Sequence, residues 1–394
     1  MKVDVVVIGA GATGLFTALD LTLRGAKVVV ADKQGISRGT SGRFHGLLHS
    51  GARYAVGDKA AAKECSEEST ILARVAPHAI FDHDSYFVAF KGDDDSYVGR
   101  FREALDHTGI EHRDEDVSDL LRREPGINRD AYCAIAVPDR VADPFKLLAS
   151  VAHMAKQKGA KFLLYRDVTE LDASGNVSMK GGEEVSGTVI VNAAGPWAGL
   201  VASLGGIELG IMPTIGVMLV YRPRLSNVVL NHLRPPSDGD IILPFYDTSI
   251  LGTTAQVVED FDDVTIEDTD LRDLVYEGSK MLPDLADKAY SRYYYSARPL
   301  QKGLNPREVS RDFQIVEKDN LVTVLGGKLT TSRLIAEKVS DLVAKKIGFG
   351  SPCTTKEIML HDVLQKGGSF AGTIAEEMYN LGPNLISLER ELDS

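Results

Sequence analysis

The sequence is poor in the features that mark membrane, metal-binding and nucleic-acid-binding proteins. Its 394 residues contain three cysteines, Cys65, Cys133 and Cys353, which lie far apart in the chain. This spacing excludes a CxxC zinc or iron–sulfur framework, predicts no metal site and fits a reducing cytosol better than secretion. No apolar run approaches the ~18 residues that a membrane span needs. A net charge of −12 argues against nucleic acid as a partner.

The remaining composition is typical of a globular protein with more than one domain. Hydrophobic residues make up 44% of the chain and charged residues 25%, without a low-complexity tract or an internal repeat. The length suits two or three domains of ordinary size. The N-terminus enters an apolar strand directly, so we expect no signal peptide and a cytoplasmic location. Because the net charge is negative, an anionic substrate would need a local basic pocket.

The most informative stretch is residues 1–32, which predict a strand at 3–8, a turn at 9–14, a helix at 15–24 and a second strand at 26–31. In the turn, Gly9 allows a tight bend, Gly11 lets the backbone approach a pyrophosphate, and Gly14 lets the helix pack closely on the strand. Asp32 ends the second strand, where a carboxylate accepts hydrogen bonds from ribose hydroxyls. The unit predicts a dinucleotide site and leaves open whether the dinucleotide is FAD or NAD.

Downstream of this unit, helical and strand patterns alternate. A loop rich in glycine, arginine and histidine is followed by predicted helices at residues 58–76, 96–107 and 144–158 and predicted strands at 85–90, 131–137 and 161–165. A buried strand then runs from residue 185 into a turn of small residues, and we expect it to rejoin the first sheet.

The second half of the sequence has longer strand patterns. Residues 206–298 predict an antiparallel sheet with one helix, at 269–282, packed on it. A hairpin at 313–325 is followed by Gly326-Gly327-Lys328 and a helix predicted at 329–346, which together suggest a second anion site. Residues 361–394 predict only a partial helix.

Five stretches in order carry a family resemblance: GAGATGLFTALDLTLRG, GTSGRFHGLLHSGARYAVGDKAAAKEC, VNAAGPWA, SARPL and LGGKLTTSR. They resemble FAD-dependent glycerol-3-phosphate dehydrogenases, most of all the catalytic subunit of the anaerobic, quinone-linked type. The resemblance implies the α/β fold of the D-amino-acid oxidase and glycine oxidase group. A Rossmann-like FAD-binding domain is expected at 1–80, 141–205 and 299–360, an antiparallel-sheet cap domain at 81–140 and 206–298, and a tail at 361–394.

The sequence departs from the family pattern in three ways. Asp32 replaces the usual glutamate, which keeps the chemistry and shortens the reach, and the first turn reads GAGATG rather than GGGATG. The cysteine-bearing C-terminal extension of the anaerobic type and the helical extension of the aerobic type have no counterpart here. The sequence therefore leaves three electron acceptors open: a quinone, oxygen and a partner subunit. It also leaves open a peripheral position at the inner face of the cell membrane.

The resemblance implies FAD-dependent oxidation of sn-glycerol 3-phosphate to dihydroxyacetone phosphate, with a hydride passing to flavin N5. The glycine turn and the resemblance together predict the following cofactor-binding residues: Gly9, Gly11, Ala12, Thr13, Gly14, Asp32, Lys33, Thr40, Ser41, His45, Gly46, Leu48, Val168, Ala194, Gly195, Trp197, Gly327, Lys328, Leu329 and Thr330. For His45 the alternative is an ordinary loop histidine.

The reaction needs a base and a cationic binding site for phosphate. The resemblance implies His49 as the base and Arg298 as a second catalytic residue at the substrate oxygen. It also implies a substrate-binding set of Arg53, Tyr54, Arg311, Lys328 and Thr330. The alternatives are a backbone-bonded loop histidine for His49, a surface salt bridge for Arg53, and surface arginines at 298 and 311.

Two other functions remain open at this point. The same fold group includes FAD-dependent 2-hydroxy acid dehydrogenases and amine or amino-acid oxidases, and the chain could also be a non-catalytic subunit that binds FAD or NAD. The three basic residues Arg53, Arg311 and Lys328 exceed what one carboxylate requires, which favours a phosphorylated substrate.

Overall fold

A computed structural model describes residues 1–301, 313–364 and 383–394 of the chain. Its strands are β1 (Lys2–Ile8), β2 (Val28–Asp32), β3 (Leu47–Leu48), β4 (Ile80–Asp82), β5 (Ser85–Phe90), β6 (Arg113–Asp114), β7 (Ala131–Ala136), β8 (Arg140–Ala142), β9 (Lys161–Leu164), β10 (Val168–Leu171), β11 (Asn176–Met179), β12 (Glu184–Asn192), β13 (Ile211–Tyr221), β14 (Val229–His232), β15 (Ile241–Phe245), β16 (Thr248–Gly252), β17 (Gln256–Val257), β18 (Arg292–Gln301), β19 (Phe313–Lys318) and β20 (Leu321–Gly326).

The helices are α1 (Ala12–Leu23), α2 (Lys59–Val75), α3 (Asp95–Thr108), α4 (Val117–Arg123), α5 (Pro144–Gln157), α6 (Ala198–Leu204), α7 (Asp268–Ser279), α8 (Ser332–Ile347) and α9 (Pro383–Asp393). Helix α5 begins as its sequence predicts, because Asp143 caps it and Pro144 occupies its first turn.

The first large sheet has eight strands and confirms the Rossmann-like fold class. Strands β12, β1, β2 and β9 are parallel neighbours, and β20 continues the parallel set beyond β12. The apolar run of β1 is fully buried at Val5, Val6 and Val7, because helices and strands cover both of its faces. As expected, the strand that begins near residue 185 pairs directly with β1.

The second large sheet has nine strands, and its longest pairing joins β13 and β18. Its pairings are antiparallel except that β14 runs parallel to β5. This exception arises because β5 and β14 are joined by a long connection that passes through the first sheet, and such a crossover allows parallel pairing. A small third sheet joins β3, β8 and β4.

Two helices begin three residues away from their predicted starts. Helix α1 begins at Ala12 rather than at residue 15, so the glycine turn enters the helix directly. Helix α8 begins at Ser332 rather than at residue 329, because Leu329 to Thr331 form a turn in which the Ser332 N–H donates to the Leu329 carbonyl at 3.1 Å. The glycine pair at 326–327 therefore precedes a turn and not a helix.

The partial helix predicted near the C-terminus corresponds to α9. Its apolar side chains Leu385, Leu388 and Leu392 are buried in the main hydrophobic core with residues of α1 and α5. The division of the chain into two domains at residues 81, 141, 206 and 299 stays a prediction.

Candidate active site

A cavity of about 870 Å³ is lined by residues of both large sheets. Its size lies within the usual range for cofactor and ligand sites. The predicted site residues that line it are Gly9, Gly11, Ala12, Thr13, Asp32, Lys33, Thr40, Ser41, His45, His49, Tyr54, Val168, Ala194, Gly195, Trp197, Arg298, Gly327, Lys328, Leu329 and Thr330. We call the part around Gly9 to Thr13 and Asp32 the dinucleotide end, and the part around His49, Arg298 and Lys328 the substrate end.

The glycine turn at the dinucleotide end has no room for side chains. Gly9 has φ +113°, and a Cβ there would lie 2.4 Å from the Ala193 carbonyl oxygen. A Cβ on Gly14 would lie 1.9 Å from the Gly9 carbonyl oxygen. Gly14 does not line the cavity and instead packs behind the turn, so its absent side chain sets the path of the backbone.

The start of α1 borders the cavity through Gly11, Ala12 and Thr13. Gly11 has no side chain that could cap the first turn, and the Ala12 N–H donates to Ser41 Oγ at 3.0 Å. Because the N-terminal end of a helix carries a partial positive charge, this position favours an anion.

Asp32 orders the backbone around the same end of the cavity. Its carboxylate accepts hydrogen bonds from the Ala10 N–H and the Gln34 N–H, both at 2.7 Å. Burial raises the pKa of Asp32, and the backbone donors oppose that shift. The carboxylate therefore links the glycine turn to the loop that follows β2.

One rim of the cavity joins segments that are distant in sequence. The Lys33 Nζ lies 4.0 Å from the centre of the Trp197 ring, and the Trp197 Nε1–H donates to Asp262 at 3.0 Å. Asp262 belongs to the segment between β17 and α7, and it also lines the cavity. Sequence reasoning missed Asp262, because it lies in an acidic run that looks like a solvated surface.

At the substrate end, aromatic rings and a cation form one cluster. The His49 and Tyr54 rings are 5.2 Å apart, and the Lys328 Nζ lies 4.7 Å from the centre of the Tyr54 ring. The His49 N–H donates to Thr330 Oγ1 at 3.2 Å. Tyr54 thus holds Lys328 by a cation–π contact, and Thr330 fixes the backbone at His49.

One ring nitrogen of His45 accepts a hydrogen bond from the backbone. Its Nδ1 accepts from the Leu47 N–H at 3.0 Å. Because Nδ1 acts as an acceptor, the neutral ring carries its proton on Nε2. This arrangement combines both predictions for His45, since the residue is bonded to backbone and also lines the cavity.

Arg298 reaches the substrate end from β18. Its Nη2 donates to Thr253 Oγ1 at 2.8 Å. A Cβ on Gly216 of β13 would lie 2.4 Å from that same Nη2, so the guanidinium occupies the space that any other residue would fill. Sequence reasoning missed Gly216, although an isolated glycine inside a strand is a sign of close approach by another group.

Arg53 does not line the cavity. Its Nη2 lies 3.0 Å from the carboxylate of Asp240, which is 1% exposed and also pairs with Arg234 at 2.7 Å. A buried carboxylate needs such cationic partners. The structure therefore places Arg53 in a buried salt bridge, whereas the alternative offered by the sequence was a surface salt bridge.

Three other predicted residues lie away from the cavity or from the described chain. Leu48 is fully buried in β3, opposite Arg140 of β8. The Gly46 carbonyl accepts from the Ala142 N–H at 2.8 Å, so this glycine serves the small sheet. Arg311 lies outside the described residues.

A buried carboxylate behind the His49 loop was not predicted. Asp139 is 3% exposed and accepts from the Ser50 N–H at 2.6 Å and from Asn231 Nδ2 at 3.3 Å. Burial raises the pKa of Asp139. The contact with Ser50 positions the residue that follows His49.

The cavity fits a dinucleotide that carries a reactive ring at one end. A Cβ at Gly9 would collide with the Ala193 carbonyl, the start of α1 favours phosphate, and His49, Arg298 and Lys328 line the same cavity. Residues at 9–13, 32–33, 40–41 and 193–197 would hold the dinucleotide, and 327–330 would border the ring.

Comparison with known proteins agrees with this geometry. The family model described as FAD dependent oxidoreductase matches residues 4–342. One subunit of the anaerobic glycerol-3-phosphate dehydrogenase of Escherichia coli is 36% identical over 379 residues, covering 91% of this chain and 70% of that protein. A protein of Haloferax volcanii, also named as one subunit of an anaerobic glycerol-3-phosphate dehydrogenase, is 35% identical over 383 residues, covering 90% of this chain and 65% of that protein. This chain therefore spans about two thirds of the length of these relatives.

Solved structures share the fold. Glycine oxidase from Geobacillus kaustophilus superimposes with a TM-score of 0.74 at 18% identity, covering 91% of this chain and 98% of that one. Glycerol-3-phosphate dehydrogenase from Bacillus halodurans, complexed with FAD, superimposes with a TM-score of 0.72 at 23% identity, covering 100% of this chain and 75% of that one.

Proposed function

This chain belongs to the family of FAD-dependent oxidoreductases, and from that premise we propose that it oxidises sn-glycerol 3-phosphate to dihydroxyacetone phosphate. The observation that carries the proposal is the substrate end of the cavity, where Lys328 and Arg298 lie with His49. The names of the relatives at 35% and 36% identity support the same substrate.

Each residue at the substrate end has a role that follows from its chemistry. When bound, FAD accepts the hydride from the secondary alcohol carbon. His49 accepts the hydroxyl proton, because an imidazole titrates near neutral pH. Arg298 stays charged and stabilises the negative charge that develops on the substrate oxygen. Loss of one proton and one hydride turns the alcohol into the ketone.

Lys328 and Thr330 bind the phosphate of the substrate. A phosphate monoester carries a charge of about −1.5 to −2 near neutral pH, and an ammonium group and a hydroxyl both donate hydrogen bonds to it. The Tyr54 ring below Lys328 limits where the ammonium can point. The recognition of phosphate rather than of a carboxylate or an amine is the step that separates this substrate from those of the neighbouring oxidases.

We propose that the electron acceptor is a partner subunit or a quinone at the inner face of the cell membrane. The two relatives are each named as one subunit of an enzyme, which supports a partner chain. Within residues 1–301, 313–364 and 383–394, no helix is long and apolar enough to cross a bilayer.

The proposal is tested by turnover with an artificial electron acceptor. We expect glycerol 3-phosphate to support turnover with formation of dihydroxyacetone phosphate, and 2-hydroxyglutarate, glycine and glycerol to give little. Turnover with 2-hydroxyglutarate or glycine at an equal kcat/KM would assign the enzyme to a neighbouring reaction, and turnover with none of them would remove the catalytic assignment.

A further inference from the structure

One carboxylate of the C-terminal helix contacts a loop that lines the cofactor cavity. Glu389 of α9 is 1% exposed and accepts hydrogen bonds from three partners near the end of β2 and β9. The Ile36 N–H donates at 3.0 Å, Arg38 Nη2 donates to both carboxylate oxygens at 2.8 and 2.7 Å, and the Tyr165 hydroxyl donates at 2.6 Å. Residues 36 and 389 are separated by 353 positions in the chain.

Two of the partners of Glu389 belong to the loop at residues 33–39, which we call the β2 loop. It lines the cavity through Lys33, Gln34, Arg38 and Gly39. On one side, the Ser37 N–H donates to the Ala10 carbonyl of the glycine turn at 3.0 Å. On the other side, a Cβ on Gly35 would lie 2.4 Å from Glu389 Oε1, so this glycine leaves room for the carboxylate.

The carboxylate is held in place by the burial of its own helix. Leu388 and Leu392 pack in the main core, and the Asp393 carboxylate accepts from the Leu164 N–H at 2.8 Å. Taking a carboxylate out of water is costly unless a cation and hydrogen bonds satisfy it. Arg38 supplies the cation. Burial and the contact with Glu389 raise the pKa of Tyr165 to about 12, so its hydroxyl keeps its proton and donates.

We propose that Glu389 is a positioning residue of the FAD site and that α9 holds the β2 loop in the conformation that binds FAD. The affinity for FAD then depends on the last helix described in the chain, far from the glycine turn in sequence. The inference rests on the binding of FAD by the family, and it does not depend on which alcohol is oxidised.

The test measures the dissociation constant of FAD by fluorescence titration of the full-length apoprotein, without substrate. Glu389→Gln keeps an acceptor oxygen and removes the charge that pairs with Arg38, so we expect about tenfold weaker binding. Glu391→Gln is the matched control, because Glu391 lies on the same helix and is exposed. Equal FAD affinity in the two variants, with equal unfolding midpoints of the apoproteins, would overturn the proposal.

A second variant decides the matter if Glu389→Gln does not fold. The Tyr165 side chain is 52% exposed, so Tyr165→Phe removes one donor to Glu389 with little disturbance of the core. We expect FAD binding to weaken about threefold, as for the loss of one hydrogen bond, and Tyr132→Phe, 43% exposed on the second sheet, to leave it unchanged. Unchanged affinity in Tyr165→Phe would contradict the proposal. Because no substrate is present, this failure would leave the proposed oxidation of glycerol 3-phosphate standing.

Discussion

The two ends of the cavity are formed by different kinds of groups, one mainly by backbone and the other by side chains. The dinucleotide end is formed mainly by the backbone of residues 9–13, which includes the start of α1, together with Asp32, and Gly14 packs behind it. The substrate end consists of side chains from separate strands and turns, among them His49, Arg298 and Lys328. A backbone site tolerates no added atoms, whereas a side-chain site depends on charge. Substitutions at the dinucleotide end should therefore weaken FAD binding, whereas substitutions at the substrate end should slow the reaction or weaken substrate binding.

The largest effect is expected from Gly14→Val. Its Cβ would lie 1.9 Å from the Gly9 carbonyl oxygen, so the turn must move. Overpacking of this kind costs about 1–3 kcal/mol, and because the displaced turn no longer has the shape that binds FAD, we expect FAD affinity to fall by up to about 100-fold. Flavin absorbance of the purified protein measures it. Gly99→Val is the control, since nothing lies within 4 Å of a Cβ on Gly99. Normal flavin content in folded Gly14→Val would contradict a site built from backbone.

Arg298→Leu should leave FAD bound and slow the reaction. Removal of a positioned cation from the developing oxyanion reduces the rate of flavin reduction by about 100-fold. Rapid mixing with glycerol 3-phosphate under anaerobic conditions measures that rate. Arg298→Lys should recover part of it, because the charge returns without the geometry of the guanidinium. An unchanged rate in Arg298→Leu would remove this residue from the site.

Lys328→Met should affect substrate binding more than chemistry. Loss of a charged hydrogen bond to phosphate raises the KM for glycerol 3-phosphate by about tenfold or more. The KM for glycerol should change much less, since glycerol has no phosphate. Arg53→Met is the control, because Arg53 pairs with Asp240 outside the cavity lining. Equal changes for both substrates would contradict the role of Lys328 in phosphate binding.

The smallest effect concerns Asp139, whose carboxylate lies behind the substrate end. Burial raises its folded-state pKa above the unfolded value, so its contribution to stability is complete at low pH and is lost as pH rises through the folded-state pKa. Asp139→Asn removes this loss. We therefore expect the free energy of unfolding of the variant, relative to wild type, to increase as pH rises above about 3.9, the ordinary pKa of an aspartate, toward the raised folded-state pKa. Urea unfolding measures it, and a constant difference would show that Asp139 does not titrate as described.

The sequence predicted the dinucleotide end well because its signals are local. The apolar strand, the spaced glycines and Asp32 lie within 32 residues, and the structure brings them together as expected. Other signals could not be local. Gly216 matters because Thr253 and Arg298 lie beside it, and Asp139 matters because it meets the backbone of Ser50.

The same limit explains why the sequence does not distinguish Arg53 from Lys328 and gives no sign of Glu389. Arg53 and Lys328 are similar as isolated cations, and only the buried Asp240 partner separates them. Glu389 carries no sequence signal at all, since its contacts with Ile36 and Arg38 are created by the docking of α9. A role that depends on contacts between residues far apart in the sequence can be identified only from the three-dimensional structure.

The most direct test of a backbone-built dinucleotide end joined to a phosphate-selective substrate end is anaerobic addition of glycerol 3-phosphate to the FAD-loaded protein. We predict loss of the yellow flavin absorbance with glycerol 3-phosphate, and no comparable loss with glycerol, 2-hydroxyglutarate or glycine. A protein that binds no FAD, or whose bound flavin is reduced equally by the unphosphorylated compounds, would contradict this division of the cavity.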